Sequence, residues 1–347
     1  MYGKYIYGII DRSNETDFSI SGLNGSSPVY SIVHEDLSCV MSNYSGKEFS
    51  SMSKEEVVRY LLGHQMVVEH VMKWHTVLPV KFGTVLATSD EVRNLLSQGY
   101  SQFVDILAWI QDKVEIEVAA TWDKQQIFQE ISAEPEIVCA SKTIAGKGQQ
   151  TLEDRIQLGR IVKAAMDKRR SSYRERMINF LASVAIDVQP NALVSEEMVM
   201  NVAFLLEKPN QEEFDGCVKQ LDYLFHNKIN FRIIGPLPPY TFATVEVTKL
   251  SPEKIDEARQ LLHLGKTFFE SDVRKAYRHL AAESHPDYRT GGELDLVKAQ
   301  LAQLHQASEM LIDYCRGQGK SDSNLLINIR RLRNEEVQHL SFAKIGV

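Results

Sequence analysis

Residues 114–122 read VEIEVAATW, and the fold is decided around this run. Val114, Ile116 and Val118 alternate with Glu115 and Glu117, the period of two expected of a strand with one apolar and one wet face. Downstream, the spacing predicts a helix from Lys124 to Ile131, a long helix from Leu152 to Leu181, and strands from Ala185 to Val188 and from Met198 to Leu206. A helix from Gln211 to Asn227 and a strand from Phe231 to Val247 follow. Counting the first two helices as one broken layer, the order is β-α-β-β-α-β, the ferredoxin-like split βαβ arrangement. GPLPPY, residues 235–240, must form a bulge or turn inside the last strand, because proline has no N–H for a sheet ladder.

Upstream, Tyr5 to Ile10 and the run PVYSIVHEDLSCVMS are rich in Val, Ile and Tyr and predict three short strands. Ser53 and Glu56 form a capping box, after which Val57, Tyr60, Leu61, Gln65, Val68, Val71 and Met72 recur near helical spacing. VLPVKFGTV reads as one strand with Pro79 near its start, and Ser89 as the cap of a helix with Val92, Leu95, Leu96, Phe103, Ile106 and Leu107 inward. The expected fold class is therefore α+β. Two α+β domains are predicted, residues 1–112 with a mixed sheet and helices and residues 113–250 ferredoxin-like.

A third block opens at Ser251-Pro252-Glu253, a cap, a first-turn proline and an acid near the positive end of the helix dipole. Three helices are readable, Pro252 to Leu264, Ser271 to Ser284 and Glu293 to Tyr314, with His285-Pro286-Asp287 between the last two. Leu301, Leu304, Ala307 and Leu311 of the third are read as inward. The block is expected to be a small all-helical domain over 251–320, followed by a tail over 321–347 in which INIRRLRNEE could be strand or helix.

The 347 residues carry 39 Lys+Arg against 46 Asp+Glu, a formal charge of −7, and 44% hydrophobic side chains. That content supports a buried core, and the acidic balance excludes nucleic acid as the default partner, since such binding rests on Lys and Arg neutralising phosphates. From Ser251 on, acids and bases balance at 14 each, so the acidic excess belongs to Met1–Leu250. Cys39, Cys139, Cys217 and Cys315 form no C-x-x-C pair, which argues for reduced thiols and against a zinc clip. No run of about 18 apolar residues is present and MYGKYIYGII has no signal-peptide pattern, so a cytoplasmic protein without a membrane span is expected.

No residue set suggests catalysis. G-x-S-x-G, Walker and H-E-x-x-H motifs are missing, and neither a cofactor nor a metal is expected. His64 and His70 stand six apart, the wrong separation for a two-histidine metal site, and read as surface histidines. The basic stripe of the long helix, Arg155, Arg160, Lys163, Lys168, Arg169, Arg170, Arg174 and Arg176, reads as a solvated face or as a dock for an acidic partner. GPLPPYTFATVEV reads as a strand corner or as an interaction segment, because a rigid proline-rich turn loses little entropy on binding.

VRKAYRHLAAESHPD, residues 273–287, resembles the second helix and HPD loop of the DnaJ-type J-domain, and the likeness spans about Leu261 to Tyr314. It implies an Hsp70 partner contacted by His285, Pro286, Asp287, Arg274, Lys275 and Arg278, with Tyr277 and Leu280 on the core face. The chain departs from that pattern at Glu283, Ser284, Tyr288 and Ser308. A J-domain co-chaperone that recruits Hsp70 to clients is the alternative function.

Met1 to Leu250 resembles the gas vesicle GvpL/GvpF family through KYIYGII, HQMVVEHVMKWHTVLPVKFGTV, LGRIVKAAMDKR and FRIIGPLPPYTFATVEV, in that order. The resemblance implies a non-enzymatic accessory protein, associated with the gas vesicle, that binds the small hydrophobic shell protein GvpA and possible further vesicle accessory proteins. Pro236, Pro238, Pro239, Tyr240 and Phe242 are the candidate shell-protein contacts, a stiff corner beside a sheet edge.

Overall fold

A computed structural model describes residues 2–25, 27–146, 151–225, 228–249, 252–283, 294–317 and 325–330. The chain is α+β with open sheets and divides into two compact units, Met1–Leu107 with Val245–Arg330, and Ala108–Thr244.

In the first unit, β1 (Tyr2–Asp11), β2 (Asp17–Ser21), β3 (Pro28–His34), β4 (Leu37–Ser45), β5 (Val77–Pro79) and β6 (Val85–Leu86) form an antiparallel sheet. The order is β2-β3-β4-β1-β5, with β6 also on β1. Strand β1 is central, and Tyr5, Ile6, Tyr7, Ile9 and Ile10 are all fully buried. Gly8 is required there, since a Cβ would lie 2.7 Å from Val77 Cγ1 and 3.1 Å from the Leu78 carbonyl oxygen. Helix α1 (Lys54–Val71) starts at the predicted capping box: the Ser53 hydroxyl accepts from Glu56 N–H (3.2 Å) and Ser53 N–H donates to the Glu56 carboxylate (2.9 Å). It buries Tyr60, His64, Val67, Val68 and Val71.

Five expectations for this region are corrected. Asp17–Ser21 adds a strand that its polar sequence did not reveal. VLPVKFGTV is two short strands rather than one, because Gly83 at φ +87° turns the chain and Thr84 N–H closes on the Lys81 carbonyl (3.3 Å). Helix α2 (Ser89–Ile110) is capped by Thr88 instead of Ser89, with the Thr88 hydroxyl accepting from Glu91 N–H (3.2 Å). Leu61 points outward, and His64, read as a surface histidine, is 1% exposed.

The second unit holds β7 (Lys113–Trp122), α3 (Lys124–Ser132), α4 (Pro135–Ala145), α5 (Leu152–Ala182), β8 (Asp187–Pro190), β9 (Met198–Glu207), α6 (Gln211–Leu224) and β10 (Ile229–Leu237). Its four-stranded sheet has the order β10-β7-β9-β8, every neighbour antiparallel. Helix α4 adds to the expected elements and starts with Pro135 in its first turn. The predicted strand over 231–247 is two strands, β10 here and β11 (Thr244–Lys249) in another sheet, because Pro238 and Pro239 break the ladder between them.

Strand β11 pairs with β12 (Leu325–Arg330), so this part of INIRRLR is a strand. A parallel bridge joins Val80 to Val245, and Lys81 N–H donates to the Val245 carbonyl (2.8 Å). Helices α7 (Pro252–Leu261), α8 (Glu270–Glu283) and α9 (Leu294–Gly317) enclose Ala258, Leu262, Val273, Leu304, Ala307 and Leu311, with Tyr277 and Leu280 packed beside them.

Candidate functional site

The segment between β10 and β11 is built by a break in pairing. Ile234 lies opposite Glu117 and Leu237 opposite Glu115, so a bulge takes up the extra residue. Gly235 sits in the bulge at φ +139°, where a Cβ would lie 2.8 Å from the Glu115 carbonyl oxygen. The Gly235–Pro236 peptide is cis. Beyond Leu237 the chain makes a tight turn, with Tyr240 N–H donating to the Pro238 carbonyl (2.7 Å). Phe242 and Ala243 N–H both donate to that of Pro239 (3.1 and 2.8 Å).

That turn is pinned to the sheet by a carboxylate. Glu115 was read as a wet-face residue of β7, yet it is 1% exposed. Its oxygens accept from Thr241 N–H (2.8 Å) and from the Thr241 hydroxyl (2.6 Å). Phe242, fully buried, packs beside it on Ala203 and Leu205 of β9 and on Trp109. At Glu115 the second face of β7 is therefore covered by the proline-rich segment. Burial pushes the Glu115 carboxyl up to about 7, the two bonds from Thr241 opposing that rise and Glu117 adding to it.

Of the candidate shell-protein contacts, Pro236 is exposed, Tyr240 is half-buried, and Pro238, Pro239 and Phe242 are buried. The candidate Hsp70 contacts Arg274, Lys275 and Arg278 lie exposed on α8. Arg274 pairs with Glu270 (2.6 Å), and Arg278 Nε donates to the Arg274 carbonyl (3.2 Å). Arg274, Tyr277 and Arg278 with His305 and Ile312 line an open groove of about 490 Å³ between α8 and α9. His285, Pro286 and Asp287 lie outside the described residues.

Sequence reading missed two features. Val58, Leu61, Leu62 and Met66 form an exposed apolar stripe along α1, at 54, 44, 55 and 70% exposure; their spacing was a usable signal. His64 lies in an aromatic cluster, its Nδ1 bonded to the Tyr5 hydroxyl (2.9 Å), and burial lowers its imidazole to about 4. Among the described residues, no three His, Cys, Asp or Glu side chains are grouped to hold a metal ion. No described helix is long and apolar enough to cross a membrane.

Residues 3–244 match the family described as gas vesicle synthesis protein GvpL/GvpF. Gas vesicle protein F of Streptomyces sp. (strain CB03234) is 30% identical over 185 residues, covering 53% of this chain and 77% of that one. Gas vesicle protein F of Microcystis aeruginosa (strain PCC 7806) is 26% identical over 252 residues, covering 70% and 98%. The crystal structure of GvpF from Anabaena sp. PCC7120 superposes with a TM-score of 0.61 at 23% identity, over 70% of this chain and 98% of that chain. That of GvpF from Microcystis aeruginosa gives 0.57 at 26% identity, over 69% and 98%. With about seven-tenths of its length inside the family match, the chain belongs to the GvpL/GvpF family of gas vesicle synthesis proteins.

Proposed function

We propose that this chain acts without catalysis in gas vesicle assembly, in the cytoplasm and at the vesicle, by binding the small hydrophobic shell protein GvpA. The observation that carries the reading is the family match over residues 3–244. An unassembled copy of a small apolar subunit exposes surface that aggregates, and an accessory protein that covers it transiently keeps it competent for assembly. We divide the chain for this role into 1–112, a ferredoxin-like 113–250, a J-like 251–320 and a tail. The strand order β10-β7-β9-β8 supports the ferredoxin-like part. Within it, Pro236, Pro238, Pro239, Tyr240 and Phe242 form the contact segment, entered from its exposed Pro236 and half-buried Tyr240. Pull-down of GvpA with the intact chain and with Tyr240→Ser tests this. Capture by the wild type and weaker capture by the variant are expected; no capture by the wild type would overturn the reading.

A second reading is favoured by one observation, the exposure of Arg274, Lys275 and Arg278 on one helix of a compact three-helix cluster. In that reading the J-like part recruits an Hsp70 to the vesicle through these residues and His285, Pro286 and Asp287. Stimulation of an Hsp70 ATPase by the wild type and its loss in His285→Gln are expected, and an unchanged ATPase rate on adding the wild type would rule it out.

A further inference from the structure

The proline-rich segment is held by a contact that has no need to exist for packing alone. Phe242 could fill its site against Ala203, Leu205 and Trp109 above an alanine or leucine at position 115, yet the chain places a carboxyl group there with both oxygens on a single residue, Thr241. A buried carboxyl costs stability unless it is neutral or paired with a cation. Among the described residues, the charged groups on that sheet face do not supply one. Lys113, two residues away on β7, donates to the Trp109 carbonyl (2.6 Å) and stands 3.9 Å from Glu207 of β9. Glu117 on β7 is an acid, as is Asp187, paired across from Leu205 on β8. Arg232 on β10 is exposed and lies opposite Ala119, further along the strand. The segment itself contributes only Tyr240 as a titratable group.

We infer that Glu115 and Thr241 form a proton-operated latch: the Pro238–Ala243 segment is held on the sheet while Glu115 is protonated, and lifts to hydrate the carboxylate when the proton is lost. In the protonated state the carboxyl donates to the Thr241 hydroxyl and its carbonyl oxygen accepts from Thr241 N–H, so both contacts persist with no buried charge. In the ionised state the same site traps a charge away from water, and lifting the segment is the shortest route to solvate it. The carboxyl titrates at about 7 when covered and near its ordinary 4.5 when hydrated. The opening equilibrium then rises about tenfold per pH unit between those values and levels off above, a total of about 300-fold. The latch thus gates access to Tyr240 and Phe242. It rests on the proposed function only in treating those residues as a contact, and it is testable with no partner present.

Amide hydrogen exchange of the intact chain, read at Thr241, Phe242 and Ala243 from pH 4.5 to 8 and corrected for the intrinsic exchange rate, measures the opening directly. Protection should fall about 80-fold between pH 4.5 and 7 and about twofold more before it levels off near pH 8. Glu115→Gln, which cannot ionise, should keep protection flat with pH, and Thr241→Val should lower it at acid pH. Protected amides in Met198–Glu207 report that each variant is folded. Should wild-type protection prove independent of pH, or Glu115→Gln retain the wild-type profile, the latch does not exist. Neither result depends on whether GvpA binds, so failure of the latch and failure of the proposed function are separate outcomes.

Discussion

The two units bury opposite kinds of titratable side chain. In the first, His64 sits under Tyr5 and Tyr7 at 1% exposure, its imidazole lowered by burial to about 4. In the second, Glu115 sits under the proline-rich turn at 1% exposure, its carboxyl raised by burial to about 7. One physical cause, loss of water around the charged form, moves a base down and an acid up. The surroundings differ in kind. His64 is walled in by the rings of Tyr5 and Tyr7 of β1 and of Phe82 between β5 and β6, and is bonded to a strand in the middle of the sheet. Glu115 is covered by one short turn that it also anchors. A buried neutral histidine is thus part of a core, whereas the buried acid is a fastening.

The largest expected consequence is opposite pH dependence of stability. The unfolded imidazole takes up its proton near 6.5 and the folded one only near 4, so the contribution of His64 is complete above pH 6.5 and is lost as pH falls from 6.5 to 4. Unfolded Glu115 ionises near 4.5 and folded Glu115 near 7, so its contribution is complete below pH 4.5 and is lost as pH rises to 7. Each shift corresponds to about 3 kcal/mol if the whole unit must open for the group to titrate normally. The slowest-exchanging amides of β4 and of β9, followed in denaturant from pH 4.5 to 8, separate the two units. The β4 amides should lose protection toward acid; toward neutrality residues 241–243 should lose it while β9 holds steady, because the turn opens by itself. Loss of protection in β9 as well would show that the whole unit opens and would rule out the latch. His64→Gln should flatten the acid limb of the first unit and leave the second unchanged.

A smaller effect sharpens the same contrast at helix starts. Both units use capping boxes, Ser53 with Glu56 and Thr151 with Asp154. Ser53→Ala should cost about 1 kcal/mol, an ordinary cap at an exposed helix end. Thr151→Ala should cost more, about 2 kcal/mol, because the Thr151 hydroxyl also donates to the Asp154 carboxylate (2.8 Å) and Asp154 is 5% exposed. Urea denaturation of the two variants checks the order; equal losses would show that burial of the acid adds nothing.

Local chemistry was legible in the sequence wherever one residue's partner lay within a turn of it. The capping box of α1, the strand at VEIEVAATW and the break at GPLPPY rest on neighbours three or four residues apart or on the missing N–H of proline. Errors fell where a distant segment supplied the environment. Alternation at β7 predicted a wet face for Glu115, but residues 241 and 242, more than a hundred positions away, cover it. Tyr60, Val68 and Val71 mark the buried face of α1 as periodicity expects, but Leu61 of the same pattern is exposed, and His64, a polar residue, is buried there under rings from other segments. For the candidate contact segment, the sequence located the corner and its rigidity, while the inward placement of Phe242 required the sheet beneath it.

The sequence by itself determined the α+β class, the positions of most helices and strands, and the family, because these depend on periodicity, caps and the order of motifs. Only the tertiary structure decided which polar side chains lost their water. That depends on what packs over each one, and for His64 and Glu115 the covering atoms come from elements that no local pattern connects.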